Sequence, residues 1–258
     1  MTERPVPTIR RVLVTGAASG IGRGTAALLA ARGHAIAGLD RDAGGVAEAM
    51  GELRATGAEA YAVVADVADP VAVRTAVDEA ARLLGGLDGV VNAAGIGGYT
   101  GDVVATAPED WNAVITVDLT GVFHVSRAAL PHLREAGAGV IVNVSSQFGV
   151  VGCLASPAYC AAKAGVIGLT RAMALDHASE GIRVTCIAPG PVDTPLRDAS
   201  LAQPEFDRIE RERAALRLPL GRPAGVKEVA GAIAFLLSDD ASYMTGASLA
   251  LDGGWTAA

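Results

Sequence analysis

Lysine, aromatic residues, cysteine and histidine are all scarce in this chain, and each shortage narrows what it can be. The 21 basic residues divide into 19 arginines and two lysines, Lys163 and Lys227, against 28 acidic residues. The resulting net charge of −7 leaves no basic footprint for nucleic acid or an acidic membrane surface, and neither is expected as a partner. Cys153, Cys160 and Cys186 show no CxxC or paired metal spacing. They read as small buried or half-buried thiols in a reducing, cytoplasmic setting. His34, His124, His132 and His177 show no ligand-like grouping, so they read as surface or interface residues and no metal site is expected. The opening MTERPVPTIRRVLV lacks a basic-then-apolar signal segment, and no apolar run is expected to span a membrane. With aromatics at 4%, alanine, valine and leucine must fill the core.

What is present is an alternation. Runs at 11–16, 34–40, 59–66, 88–95, 139–146, 182–190 and 247–254 read as strands. The first six are nearly continuous in Val, Ile, Ala and Leu, as strands covered on both faces must be. Segments 20–33, 43–56, 69–85, 108–136, 157–180 and 226–238 carry apolar residues three and four apart, as helices do. Asp69-Pro70, Ala107-Pro108 and Ser156-Pro157 mark helix starts. Strands alternating with such helices imply a doubly wound α/β sandwich with a seven-stranded parallel sheet, helices on both faces, and one domain over 1–258. The segment 191–222 breaks the rhythm and reads as a substrate lid with a helix at 205–217.

TGAASGIG (15–22) lies between the first strand and the first helix. Gly16 permits the tight turn, Gly20 the approach of a pyrophosphate, and Gly22 close helix packing, with free N–H groups at the helix start. Asp40 ends the second strand, about twenty residues past the glycines. A carboxylate there accepts hydrogen bonds from ribose hydroxyls and repels a 2′-phosphate, so NAD(H) is favoured over NADP(H). Arg41 is a mild counter-signal, since a guanidinium pairs well with phosphate.

TGxxxGxG at 15–22, NAAG at 92–95, Ser146 thirteen residues before the tyrosine of YCAAK, and PG at 189–190 resemble the single-domain short-chain dehydrogenase/reductases. The resemblance runs from about residue 8 to Trp255. It implies a Rossmann-type fold and a cofactor set that adds Ser19, Ile21 and Gly95 to the glycines. It also implies that Asp66 and the Val67 backbone meet adenine, and that Asn92 steadies the central strand and lines the cofactor cleft. Pro189, Gly190, Val192 and Thr194 would hold the carboxamide. Family members commonly form tetramers through the long helices and last strand, so a homotetramer is expected.

Tyr159 and Lys163 stand four apart on one helix face. A free phenol titrates near 10. A positive charge about 4 Å away contributes roughly 4 kcal/mol at an effective dielectric near 20, so Lys163 with an oxidised nicotinamide is expected to bring Tyr159 towards 7. A compact ammonium with three donors can also bond both nicotinamide ribose hydroxyls and pass on a proton, which a guanidinium cannot. The resemblance makes Ser146 the group that holds the substrate oxygen; Ser145 is its rival, and the thirteen-residue spacing with Gly149 favours Ser146. Where the family usually has asparagine, this chain reads VDLTGVF, with Asp118. Asp118 is expected to order a relay water near Lys163 and, if ionised, to move the alcohol-oxidation optimum upwards in pH.

The substrate pocket is expected from Gly97–Thr100, Gln147–Leu154 and the 191–220 lid, with Gln147, Phe148, Val151 and Leu154 suiting a modest, largely apolar molecule. The expected activity is NAD(H)-dependent interconversion of a secondary alcohol and a ketone. The alternatives are a 3-oxoacyl-thioester reductase of the same family and a non-catalytic dinucleotide sensor.

Overall fold

β1 (Arg11–Thr15) shows how the valine-rich runs build the core: Val12 and Val14 face one side of the sheet, Leu13 the other, and all three are fully buried. In the computed structural model, which describes residues 10–202 and 218–257, β1 is followed by β2 (Ala35–Asp40), β3 (Ala60–Val64), β4 (Gly89–Asn92), β5 (Gly139–Val144), β6 (Ile182–Pro189) and β7 (Ser248–Leu251). They form one parallel sheet in the order β3-β2-β1-β4-β5-β6-β7.

The helices are α1 (Gly20–Ala31), α2 (Ala43–Ala55), α3 (Pro70–Leu84), α4 (Pro108–Ile115), α5 (Gly121–Glu135), α6 (Pro157–His177), α7 (Pro195–Leu201) and α8 (Val226–Leu237). One apolar layer joins the sheet to α3, α5 and α6 through residues such as Val77, Leu133 and Met173. The other joins it to α1, α2 and α8 through Leu29, Met50 and Ile233. The predicted starts hold where chemistry marks them. Asp69 accepts from the N–H groups of Val71 and Ala72 with Pro70 in the first turn, and Gly85 ends α3 at φ +70°.

Two differences matter for the site. The segment expected as one helix over 108–136 contains a π-helical turn at Thr116–Thr120, between α4 and α5. Such wide turns are frequent at functional sites because they redirect one side chain. Together with that turn, α4 and α5 make a continuous Pro108–Glu135 helix that is, by length and composition, apolar enough to cross a membrane. This corrects the expectation of no such run; the helix packs through Val125, Ala129 and Leu133 into the sheet-facing core. Within 191–222 the structure places α7, while the helix expected at 205–217 lies outside the described residues.

Candidate active site

β1 pairs with both β2 and β4, so the chain winds outward in opposite directions from that point, and the carboxyl ends of the strands frame a crevice there. The register β5–β6, with Val144 opposite Ile187, brings Ser146 and Pro189 to the same edge.

The cavity at the β1 and β2 ends is lined by Gly16, Ser19, Gly20, Ile21, Gly22, Asp40, Arg41, Asp66, Val67 and Gly95, and holds about 240 Å³. Gly16 has φ +69°, and a Cβ there would press within 2.9 Å of the Ala93 and Ala94 backbone. Ser19 stands at the start of α1 without capping it through its side chain, so the first-turn N–H groups are left to other acceptors. Asp40 accepts from Ala18 N and from Asp42 N, each at 3.0 Å, which ties the carboxylate to the glycine loop. Arg41 is mostly exposed and sits 3.9 Å from Asp66, whose Oδ1 accepts from Ala68 N. A glycine cradle, an uncapped helix start and a carboxylate at the second strand's end fit a dinucleotide with its adenosine ribose at Asp40.

The adjoining cavity, of about 180 Å³, shares Ile21, Ala93, Gly95, Thr194 and Leu196 with the first. It contains Asp118, Ser146, Gln147, Tyr159, Lys163, Pro189, Gly190, Val192 and Thr194. Gly98 leaves room for Tyr159, because a Cβ at 98 would overlap the tyrosine Cβ. The Lys163 ammonium lies 5.4 Å from the centre of the Tyr159 ring and 3.4 Å from the Val144 carbonyl. Ser146 and Tyr159 line the same cavity, where Ser146 acts to lower the phenol's pKa. Ser145 is committed elsewhere, donating to the Lys163 carbonyl at 2.7 Å, so it braces α6.

Asp118, fully buried on the π turn, makes a 3.0 Å ion pair with Lys163 and accepts from Ile96 N at 2.8 Å. The carboxylate thus meets the lysine ammonium directly. Burial, the largest influence, pushes the Tyr159 phenol above its ordinary value; Lys163 and Ser146 pull it down, and Asp118 pushes it further up. The protein alone therefore does not bring Tyr159 towards 7, since desolvation outweighs one paired cation. Burial works to depress Lys163, but Asp118 and Tyr159 prevail and hold it above its usual value.

Three expectations change. Asn92 is buried and does not line the cleft: its amide donates to Ser126 and Asn143, whose own amide donates to Thr170, a network stitching the sheet to α5 and α6. Val151 and Leu154 do not line the cavity, Leu154 being exposed, and Ser156 joins it from outside the expected segments; Gly97, Gly98 and Tyr99, with Leu196, Arg197 and Ser200, line it from within them. Val151 and Leu154 belong to a loop whose order comes from outside: Ala155, at φ +54°, offers its carbonyl to Thr100 N and Gly101 N. His124 is a structural partner of the site, its Nδ1 bonding the Val67 carbonyl at 3.0 Å.

Thr15 was not singled out, yet its hydroxyl accepts from Ala93 N and Ala94 N and pins the NAAG loop to β1. A threonine just before the glycine turn was the available signal. Among the described residues the three cysteines form no disulfide; Cys186 is buried and the others are half-buried. Among the described residues no group of three or more His, Cys, Asp or Glu is placed to hold a metal.

Fold and site define a dinucleotide-binding oxidoreductase with a tyrosine–lysine pair at its centre. The family described as enoyl-(acyl carrier protein) reductase matches residues 16–256. The chain is 46% identical to cis-4-hydroxycyclohexanecarboxylate dehydrogenase of Sinomonas cyclohexanicum, covering 96% of this chain and 97% of that one. It is 40% identical to cyclohexanol dehydrogenase of Acinetobacter sp. (strain SE19), over 95% and 94%. The crystal structure of levodione reductase superposes with a TM-score of 0.90 at 36% identity, over 97% and 98%. The chain belongs to the short-chain dehydrogenase/reductase family, and is an oxidoreductase of alcohols and ketones.

Proposed function

We propose that this protein is an NAD(H)-dependent dehydrogenase that interconverts a compact cyclic secondary alcohol and its ketone, with Tyr159 as general acid and base. The observation that carries the reading is the Ser146–Tyr159–Lys163 cluster at the base of a small, largely apolar cavity continuous with the glycine-loop crevice. At about 180 Å³ the cavity falls below the roughly 300–1,000 Å³ of pockets for drug-sized ligands, which favours a single ring. The names of the relatives, a hydroxycyclohexanecarboxylate and a cyclohexanol dehydrogenase, support a ring alcohol.

Nicotinamide nucleotide, when bound, supplies hydride acceptance or donation. Residues Gly16 to Gly22 would hold its pyrophosphate, Asp40 its adenosine ribose, Asp66 and Val67 its adenine, and Pro189 to Thr194 its carboxamide. In oxidation, Ser146 fixes the substrate oxygen against Tyr159, which accepts the hydroxyl proton. Lys163 stabilises the phenolate and is itself held by Asp118. Reduction uses the neutral phenol as donor. Asp40 supports NAD over NADP, because a 2′-phosphate would meet a carboxylate already bound to the glycine loop.

The assembly we favour is a cytoplasmic homotetramer of one-domain subunits. Exposed Trp111, Phe123 and Leu175 on the long helices, and β7 at the sheet edge, support that packing. The test is turnover of cyclic secondary alcohols with NAD and with NADP. NAD should give the higher kcat/KM, and Tyr159→Phe should cost about 100- to 10,000-fold. Retention of rate in Tyr159→Phe would remove the phenol from the chemistry.

A further inference from the structure

Ser146 and Gln147 are consecutive, and both line the substrate cavity. Gln147 opens a single turn of 3-10 helix, Gln147–Gly149, whose backbone is tied down on several sides. The Ser146 hydroxyl accepts from Phe148 N at 3.2 Å, and the Gln147 carbonyl accepts from Val150 N and Val151 N, each at 2.9 Å. Gly149 lets the turn lie directly on α6, since a Cβ there would come within 2.7 Å of the Lys163 backbone. The backbone that carries Gln147 is therefore fixed relative to the helix that carries Tyr159 and Lys163.

The polar side chains around the cavity are largely committed to the protein itself. Asp118 pairs with Lys163 at 3.0 Å, and Ser145 donates to the Lys163 carbonyl. Ser200 donates to the Leu196 carbonyl, Thr194 to the Val192 carbonyl, and Arg197 pairs with Asp193. Gln147 differs. It is only 2% exposed, and its amide Oε1 is buried with no hydrogen-bond donor among the described residues. A buried amide oxygen without a donor is costly, and most such groups in folded proteins have a partner. Much of the remaining wall is apolar, with Ile21, Val144, Phe148, Val192 and Leu196. An unsatisfied amide thus stands on an apolar wall, beside the serine that fixes the reacting oxygen.

Resting on the alcohol dehydrogenase reading above, we propose that the substrate is a cyclic secondary alcohol with a second hydroxyl group, and that the Gln147 amide binds this hydroxyl while Ser146 and Tyr159 engage the carbinol. A hydroxyl suits the task because it donates to an amide oxygen and also accepts from an amide nitrogen. A ring with one hydroxyl leaves the amide oxygen unpaired in the complex as well, so the site discriminates through what the wrong substrate fails to satisfy. Holding two oxygens also fixes which ring carbon faces Tyr159. Gln147 is a specificity residue in this scheme and takes no proton.

The experiment compares 1,2-, 1,3- and 1,4-cyclohexanediol with the corresponding fluorocyclohexanols and with cyclohexanol, for the wild type and Gln147→Met, with NAD and with NADP. Fluorine is close to hydroxyl in size but donates no hydrogen bond. The wild type should use at least one diol about 10- to 100-fold better in kcat/KM than its fluoro counterpart and than cyclohexanol. Gln147→Met keeps a similar volume without the amide, and should bring that ratio close to one, mainly through KM. A second readout is melting in the absence of substrate. Because the amide oxygen has no protein donor to lose, Gln147→Met should melt at or above the wild-type temperature. Earlier melting combined with equal losses on diol and fluoro alcohol would make Gln147 a packing residue and overturn the inference. Equal use of diol and fluoro alcohol by the wild type overturns it too, while sparing the dehydrogenase reading. Absence of turnover of every alcohol with either nucleotide overturns the parent reading itself.

Discussion

Replacing Asp118 by asparagine removes a charge while nearly preserving shape, and so measures what the buried ion pair does to the phenol. Lys163 Nζ is 3.0 Å from Asp118 Oδ2 and 5.4 Å from the centre of the Tyr159 ring, so carboxylate and ring are no farther apart than those two lengths laid end to end. At roughly 8 Å and an effective dielectric near 20, a unit charge contributes about 2 kcal/mol, or about 1.5 pKa units. Asp118 raises the phenol, so its removal lowers it. Oxidation needs the phenolate, and its ascending pH limb should therefore move down by about one unit; reduction needs the neutral phenol, and its descending limb should move down with it. The two donors meet different oxygens of Asp118, Ile96 N–H at Oδ1 and the Lys163 ammonium at Oδ2, and asparagine puts an NH2 group in place of one of them. A loss of about 1–2 kcal/mol in thermal stability should accompany the shift. The assay is kcat/KM against pH in both directions with saturating nucleotide, alongside melting curves. Limbs that stay in place, or move upwards, would refute the electrostatic reasoning.

The two serines should separate cleanly. Ser146→Ala should lower kcat/KM by about 100-fold or more, whereas Ser145→Ala, which loses its bond to the Lys163 carbonyl, should show mainly a stability loss of about 1 kcal/mol; the reverse ranking would reassign them. Asp88 accepts from Arg11 N, Nε and Nη2 at 2.7–2.9 Å, and although its burial opposes ionisation, these bonds hold its carboxyl below the usual range. A depressed folded-state value contributes stability above about pH 4 that disappears as pH falls through the lower folded value. Asp88→Asn should therefore melt earlier than the wild type at neutral pH, by the equivalent of about 2 kcal/mol, with the gap closing in acid. A gap independent of pH would assign the loss to packing.

Much of this molecule was legible in one dimension because its signals are local. Strand runs buried on both faces, Asp69-Pro70 at a helix start, TGAASGIG between strand and helix, and Tyr159 four residues before Lys163 are all short-range patterns governed by backbone geometry. From these, the sheet, the dinucleotide crevice and the tyrosine–lysine pair follow directly.

The rest required contacts between distant segments. Neighbouring serines look alike in sequence, and only the packing of β5 against α6 gives Ser145 to a backbone carbonyl and leaves Ser146 lining the cavity with Tyr159. Asn92 points into a polar network because Ser126 and Asn143 surround it. The π turn that carries Asp118 onto Lys163, and the α7 face that brings Arg197 over the cavity, are likewise tertiary results. Even the direction of the Tyr159 shift was undecidable from spacing, since desolvation depends on everything packed around a group and not on its neighbours in the chain.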